Sequence, residues 1–251
     1  MTALIFVGIA ILVGLGIWYS WYAKKKRREE LAVAARQLGL EYSAEDMLGC
    51  LGLPFDLLKR GDGRGTENVL WGAWQGMDLR EFDYWYYEES TDSEGHRSKT
   101  YYHFSCAATE LPLQGAHLTI AKENVFTRLA DHLGFQDIEF ELEAFNRAFQ
   151  VKCKDRKFAT DVIDQRMMQW LMEHGERYGI EMNGPWLLVS CKRVRPTELT
   201  PLLGTMQQYV QHLPKVAYSL YGTGQWQDAP ASQPPPAQAP EPPAQPGTFT
   251  A

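Results

Sequence analysis

The sequence predicts an α+β fold, with an N-terminal transmembrane helix followed by a mainly antiparallel sheet or partly closed barrel packed with helices. Three observations predict it. Residues Thr2 to Tyr22 run without one charge, and Lys24-Lys25-Lys26-Arg27-Arg28 follows at once. Further on, several stretches alternate apolar and polar residues with period two, and between them lie shorter stretches of helical period. From Asp228 to Ala251, eight of the chain's 14 prolines stand among Ala and Gln, a composition without the apolar bulk to offset chain entropy. The chain therefore divides into an anchor at 1–23, a basic juxtamembrane segment and helix at 24–38, a cytosolic α+β domain at 39–226 and a disordered tail at 227–251.

As a helix the uncharged run spans roughly 31 Å at about 1.5 Å per residue, against a hydrocarbon core of roughly 30 Å. A cleaved signal peptide needs basic residues before its apolar run and a small-residue cleavage site after it. Here only Met1 and Thr2 precede the run, and Trp18-Tyr19-Ser20-Trp21-Tyr22 closes it, rings that suit the headgroup level. The basic cluster lies wholly on the C-terminal side, so the positive-inside rule keeps the folded domain in the cytoplasm and sends the N-terminus out. Lys24, Lys25, Lys26, Arg27 and Arg28 set this topology. They are also the candidate contacts for lipid headgroups, each worth about 1 kcal/mol near an anionic surface.

The chain carries 25 basic and 31 acidic residues; without the five basic and two acidic ones of Lys24 to Glu30, 20 remain against 29. An acidic domain is repelled by phosphate backbones, so no nucleic-acid partner is expected. Cys50, Cys106, Cys153 and Cys191 form no C-x-x-C pair, and at least the last three are expected to pack as small hydrophobes in a reduced compartment.

In chain order, the anchor helix runs on through RREELAVAARQLGL, with Leu31, Ala34, Ala35 and Leu38 on one stripe and Gly39 as its stop. GLPFDLLKRGDGRGTENVLWG reads as a glycine-punctuated loop leading into a strand. MDLREFDYWYYEE and TYYHFSCAATE then form a long hairpin around the polar loop Ser90 to Lys99. Pairing positions that sum to 188 sets Phe82 by Cys106, Tyr84 by Phe104 and Tyr86 by Tyr102 on one face. HLTIAKE is a short strand, and ENVFTRLADHLG a helix with Phe126, Leu129 and Leu133 inward. IEFELE reads as a strand with Glu139, Glu141 and Glu143 on a solvated face, and AFQVKCKD as another with Phe149, Val151 and Cys153 inward. ATDVIDQRMMQWLMEHG is one helix with a core stripe of Ile163, Met167, Trp170 and Leu171. GIEMNGPWLLVSCK is a hairpin turning at Asn183-Gly184, and TPLLGTMQQYVQHLP an amphipathic helix that ends before Pro214.

Few residues carry a chemical signature. The hairpin register places Asp83 near Ser105 and Trp85 near His103 on the face opposite the aromatic one. Asp83, His103 and Ser105 are thus the candidate catalytic group of a hydrolase, although His103 and Ser105 stand i, i+2 on a regular strand without the sharp turn that exposes a nucleophile. The more ordinary reading of this face is polar and partly wet. Glycines 61 to 65 lack the G-x-x-x-x-G-K-[ST] pattern of a phosphate cradle. His96, His103, His117, His132, His174 and His212 are scattered, so neither a metal site nor a cofactor is expected. In the tail, Pro240, Pro243 and Pro246 fit P-x-x-P twice, the spacing that docks into aromatic grooves of a partner.

Leu53-Pro54-Phe55, Gly72 to Gly76, Phe82-Asp83-Tyr84, the strand-to-helix unit Ala148 to Leu171 and Asn183-Gly184 occur in an order that resembles bacterial single-pass membrane-anchored proteins of unknown function. That resemblance implies the anchor and the domain but no catalytic residue. Two function classes follow. One is a non-enzymatic protein-binding or scaffolding module on the membrane; the alternative is a membrane-tethered hydrolase using Asp83, His103 and Ser105.

Overall fold

Leu31, Ala34, Ala35 and Leu38 recur at helical spacing, and they bring the end of a single long helix, α1 (Thr2–Leu38), onto the core, where Leu31 and Ala35 are fully buried. Gly39, at φ +73°, turns the chain out of the helix, a conformation glycine adopts without a Cβ penalty. The computed structural model of the protein describes residues 2–122 and 136–224, without the side chains of 2–5, 7, 9, 10 and 136. The helix expected around Phe126, Leu129 and Leu133, His132 and the proline-rich tail lie outside the described residues.

After α1 come β1 (Glu41–Glu45), two short helical turns at Cys50–Gly52 and Leu57–Lys59, and three long strands, β2 (Gly63–Trp74), β3 (Met77–Thr91) and β4 (Arg97–Ala121). All strand pairs are antiparallel, in the order β1-β2-β3-β4-β6-β5, where β5 is Gln136–Asp137 and β6 is Gln150–Cys153; β7 (Gly179–Lys192) pairs along β4. The β3–β4 register is the expected one: Phe82 opposes Cys106, Tyr84 opposes Phe104, Tyr86 opposes Tyr102 and Asp83 opposes Ser105. The sheet is open rather than barrel-like, and it is covered on both faces. Leu79, Ala107 and Val189 face a core built with α1 and α5 (Leu199–His212), while Phe82, Tyr84 and Cys106 face one built with Phe55, Leu57 and Leu58 of the 46–60 loop.

Several expectations change. HLTIAKE is the far end of the 25-residue β4, not a separate strand. Asn183-Gly184 is a bulge rather than a hairpin turn: Gly184 sits at φ +60°, the register shifts around Gly115, and both halves of β7 stay on β4. A partner strand long enough to pair with both halves makes the bulge cheaper than a reversal. IEFELE is not a strand, because the Asn146 side chain bonds both Phe140 N (3.0 Å) and Phe140 O (2.7 Å) and so takes a neighbouring strand's place; Glu143 instead opens α2 (Glu143–Ala148). The single helix expected over 159–175 is two, α3 (Arg156–Val162) and α4 (Gln165–Trp170), since the Asp164 side chain caps the second by accepting from Met167 N. Beyond Pro214 the chain forms a further short helix, α6 (Lys215–Tyr221).

The membrane-spanning anchor does not come out of the structure: among the described residues no helix is long and apolar enough to cross a membrane. From Phe6 to Tyr22, every large apolar side chain that is described is exposed.

Candidate functional site

Antiparallel pairing puts Asp83, Ser105 and His103 on the helix-side face of the sheet, as the register requires, yet does not join them chemically. Asp83 is 2 % exposed and Ser105 fully buried, so this end of the face is not wet. Ser105 Oγ accepts from Val194 N at 3.3 Å, and His103 is exposed, its ring stacked near Tyr101. Among the described residues no side-chain hydrogen bond links any two of the three. A serine needs an adjacent base to become a nucleophile, and among the described residues Ser105 Oγ is hydrogen-bonded to Val194 N rather than to a base.

What Asp83 holds instead is the helix. Arg27 on α1 grips it with two parallel bonds, Nε to Oδ2 at 2.7 Å and Nη2 to Oδ1 at 2.6 Å, and donates a third from Nη1 to Val194 O at 2.8 Å. Asn68, bulged out of β2 at φ 57°, donates to Asp83 Oδ2 at 2.9 Å and accepts from the Tyr42 hydroxyl at 2.9 Å. Arg27, one of the expected headgroup contacts, thus has its guanidinium engaged inside the protein by Asp83 and the Val194 carbonyl. Burial works against its charge, but the bonds and charge of Asp83, with Glu81 and Glu67 behind, raise its pKa. Lys25 and Lys26 pair loosely with Glu29 and Glu30 at 4.0 and 3.8 Å on the exposed helix.

Two residues before Asp83, Glu81 is 1 % exposed, and among the described residues neither carboxylate oxygen has a hydrogen-bond partner. Burial, and then the Asp83 charge, pushes its pKa well above 4.5, against the pull of Arg27. Between the ordinary carboxyl value and this raised one, the folded protein keeps a proton that the unfolded chain releases. Stability is then full below the ordinary value and falls as pH rises through the window, by at most about 1.4 kcal/mol per pH unit. Glu81→Gln, the shape of the protonated acid, is expected to flatten that slope in urea unfolding between pH 5 and 8. An unchanged slope would assign the titration elsewhere.

Above these residues, between the first half of α1 and the sheet, lies an open cleft of about 570 Å³. Lys24, Arg28 and Arg193 line it with Glu67, Trp85, Tyr101 and His103, and Tyr19 and Ser20 form its rim on the helix. Gly65 of β2 lets the Trp85 ring lie against the sheet, for a Cβ there would meet that ring at 2.9 Å. Burial first, then Arg193 and Lys24, lower the His103 pKa despite Asp83 and Glu67.

A second cluster is buried on the opposite face. His117 Nε2 lies 2.7 Å from Glu181 Oε1 and 3.7 Å from Asp56 Oδ2, each residue less than a tenth exposed. Glu181 also accepts from Asp56 N at 2.5 Å and Leu57 N at 3.3 Å, and Lys59 reaches Asp56 at 3.0 Å. One imidazole and two carboxylates converge closely enough to hold a small divalent cation, so the scattered histidines do contain a donor set that the sequence reading missed. As hydrogen bonds the same atoms clamp the 54–59 loop onto β4 and β7.

Neither protein-family models nor curated protein sequences give a match to this chain. The crystal structure of mycobacterial trehalose monomycolate transport factor A is similar to it. The match has a TM-score of 0.53 at 14 % identity and covers 75 % of this chain and 96 % of that one. At that identity the likeness is one of fold alone.

Sequence reasoning named Arg27 without its Asp83 partner, and it missed Asn68, Glu67 and Arg193 on one face and Asp56, His117 and Glu181 on the other. Partners 56, 64 and 125 residues apart, as in Arg27 with Asp83, His117 with Glu181 and Asp56 with Glu181, leave no local spacing to read. The one available signal was charge at strand positions such as Glu81 and Asp83, flanked by aromatic residues on a strand expected to be half buried.

Proposed function

We propose that this protein is a membrane-tethered, non-enzymatic module whose folded domain, on the cytosolic side, binds a protein partner. The observation that carries this reading is the continuity of α1. One helix runs from the uncharged segment into the core, and the Arg27–Asp83 bridge, with buried Leu31 and Ala35, fastens it to the sheet. Such a helix is a rigid stalk, holding the domain at a set height and orientation above the bilayer. The one-sided basic cluster supports the cytosolic orientation. Deleting residues 229–251 should weaken partner capture without changing folding or localisation.

The native cysteines are all buried, so topology is read at an added one. Glu94→Cys, in the exposed β3–β4 turn, is expected to react with a membrane-impermeant maleimide only after cells are permeabilised. In the same cells, a photo-crosslinker at Thr100 should give one discrete adduct. Labelling of intact cells would place the domain outside. A turnover by purified protein that Ser105→Ala or His103→Ala abolishes, with the fold intact, would make it an enzyme.

A further inference from the structure

We infer that the cleft between α1 and the β2–β3–β4 face binds the phosphate headgroup of an anionic phospholipid from the leaflet where the stalk emerges. Lys24, Arg28 and Arg193 would contact the anion, and Trp85 and Tyr101 would wall it. This rests on the membrane-tethered reading and adds a ligand to it.

The fold sorts the basic cluster. Lys25 and Lys26 pair with Glu29 and Glu30, and Arg27 is spent on Asp83. Lys24 and Arg28, one helical turn apart, face the cleft, and β7's continuation brings Arg193 to it from the far side. These three make no ion pair among the described residues, and Glu67 is the acidic residue among those lining the cleft. A local excess of positive charge thus sits in an otherwise acidic chain. It persists at the level of Tyr19 to Arg28, where the aromatic belt of α1 ends and headgroup phosphates would lie. His103 lines the same cleft; burial first lowers its pKa, and Arg193 and Lys24 act in the same sense while Asp83 and Glu67 oppose them. A volume of about 570 Å³ is in the range of small-ligand sites and admits a phosphoglycerol headgroup, while the walls Trp85, Tyr101 and Tyr19 suit the boundary between headgroup and acyl chain.

The test uses the full chain in an uncharged detergent. Native mass spectrometry would compare retention of phosphatidylglycerol, phosphatidylcholine and inorganic phosphate, and NMR would follow the His103 ring. Phosphatidylglycerol should be retained at least tenfold over phosphatidylcholine and should raise the His103 pKa. Arg28→Glu with Arg193→Glu should abolish both effects. Lys25→Glu with Lys26→Glu, an equal change of net charge, should leave them. Arg28→Gln with Arg193→Gln gives a milder variant with the same expected loss, should the double reversal unfold. Equal losses in the two charge-reversed pairs, or no preference for phosphatidylglycerol, would overturn the site; retention of inorganic phosphate as strong as that of the lipid would make it a free-anion site instead. A protein that passes the maleimide test yet prefers no anionic lipid loses this inference alone.

Discussion

Arg27→Ala is expected to destabilise the folded protein by about 3–5 kcal/mol, the cost of removing one partner from a buried ion pair and leaving the other charged. The Arg27 side chain is 15 % exposed and that of Asp83 3 %, so solvent screens the pair little. The loss would leave Asp83 to Asn68 alone, beside Glu81, with the Val194 carbonyl short of its donor. Asp83→Ala should cost a similar amount, because it strands the guanidinium. The double variant Arg27→Met, Asp83→Leu should recover much of it, since an apolar pair of similar volume avoids the desolvation penalty. By contrast Lys26→Ala, which breaks an exposed i, i+4 pair, should change stability by only about 0.3–0.5 kcal/mol. Urea unfolding of the full chain in detergent, followed by tryptophan fluorescence, checks all four. An Arg27→Ala protein within about 1 kcal/mol of the parent would show that the bridge does not fasten the stalk.

Glu181→Leu should cost about as much, roughly 3–5 kcal/mol, by a different route. Its carboxylate accepts two backbone N–H groups, those of Asp56 and Leu57, and contacts His117; a buried donor without an acceptor costs about 1–3 kcal/mol. The loss should be local first. The 54–59 loop carries Phe55, Leu57 and Leu58, which cover Phe82, Tyr84 and Cys106, so its release uncovers the smaller of the two cores. Amide exchange at Asp56 and Leu57 should accelerate, and the fully buried Cys50 should become reactive to thiol reagents under native conditions. Unchanged exchange in a Glu181→Leu protein would show that the loop is held by its apolar contacts alone. Chelator treatment separates the two uses of this cluster: a hydrogen-bonded clamp is indifferent to it, whereas a cation-bridged one loosens as Glu181→Leu does.

Periodicity of apolar residues was enough for the α1 stripe, for the β3–β4 register down to the residue pairs, for the inward side of β6 and for the existence of α5. These are local properties, because a period of two or 3.6 residues is written in neighbours and a one-residue slip would turn every apolar ring to the opposite face. It failed where a single polar side chain did a strand's or a helix's work. Asn146 replaced a partner strand for Phe140, Asp164 capped a new helix inside what reads as one, and Asn183-Gly184 bulged because β4 was long enough to hold both halves of β7.

By itself the sequence determined the uncharged N-terminal run with its basic end, the α+β class and which hairpin face is apolar, for these depend on composition and short-range spacing. Only the tertiary structure decided that the other face, with Glu81, Asp83 and Ser105, is buried as well. α1 lies across it, and Arg27, 56 residues away in the chain, supplies the charge that lets Asp83 sit there. Burial of a polar face depends on what folds back over it, and no residue beside Asp83 in the chain records that.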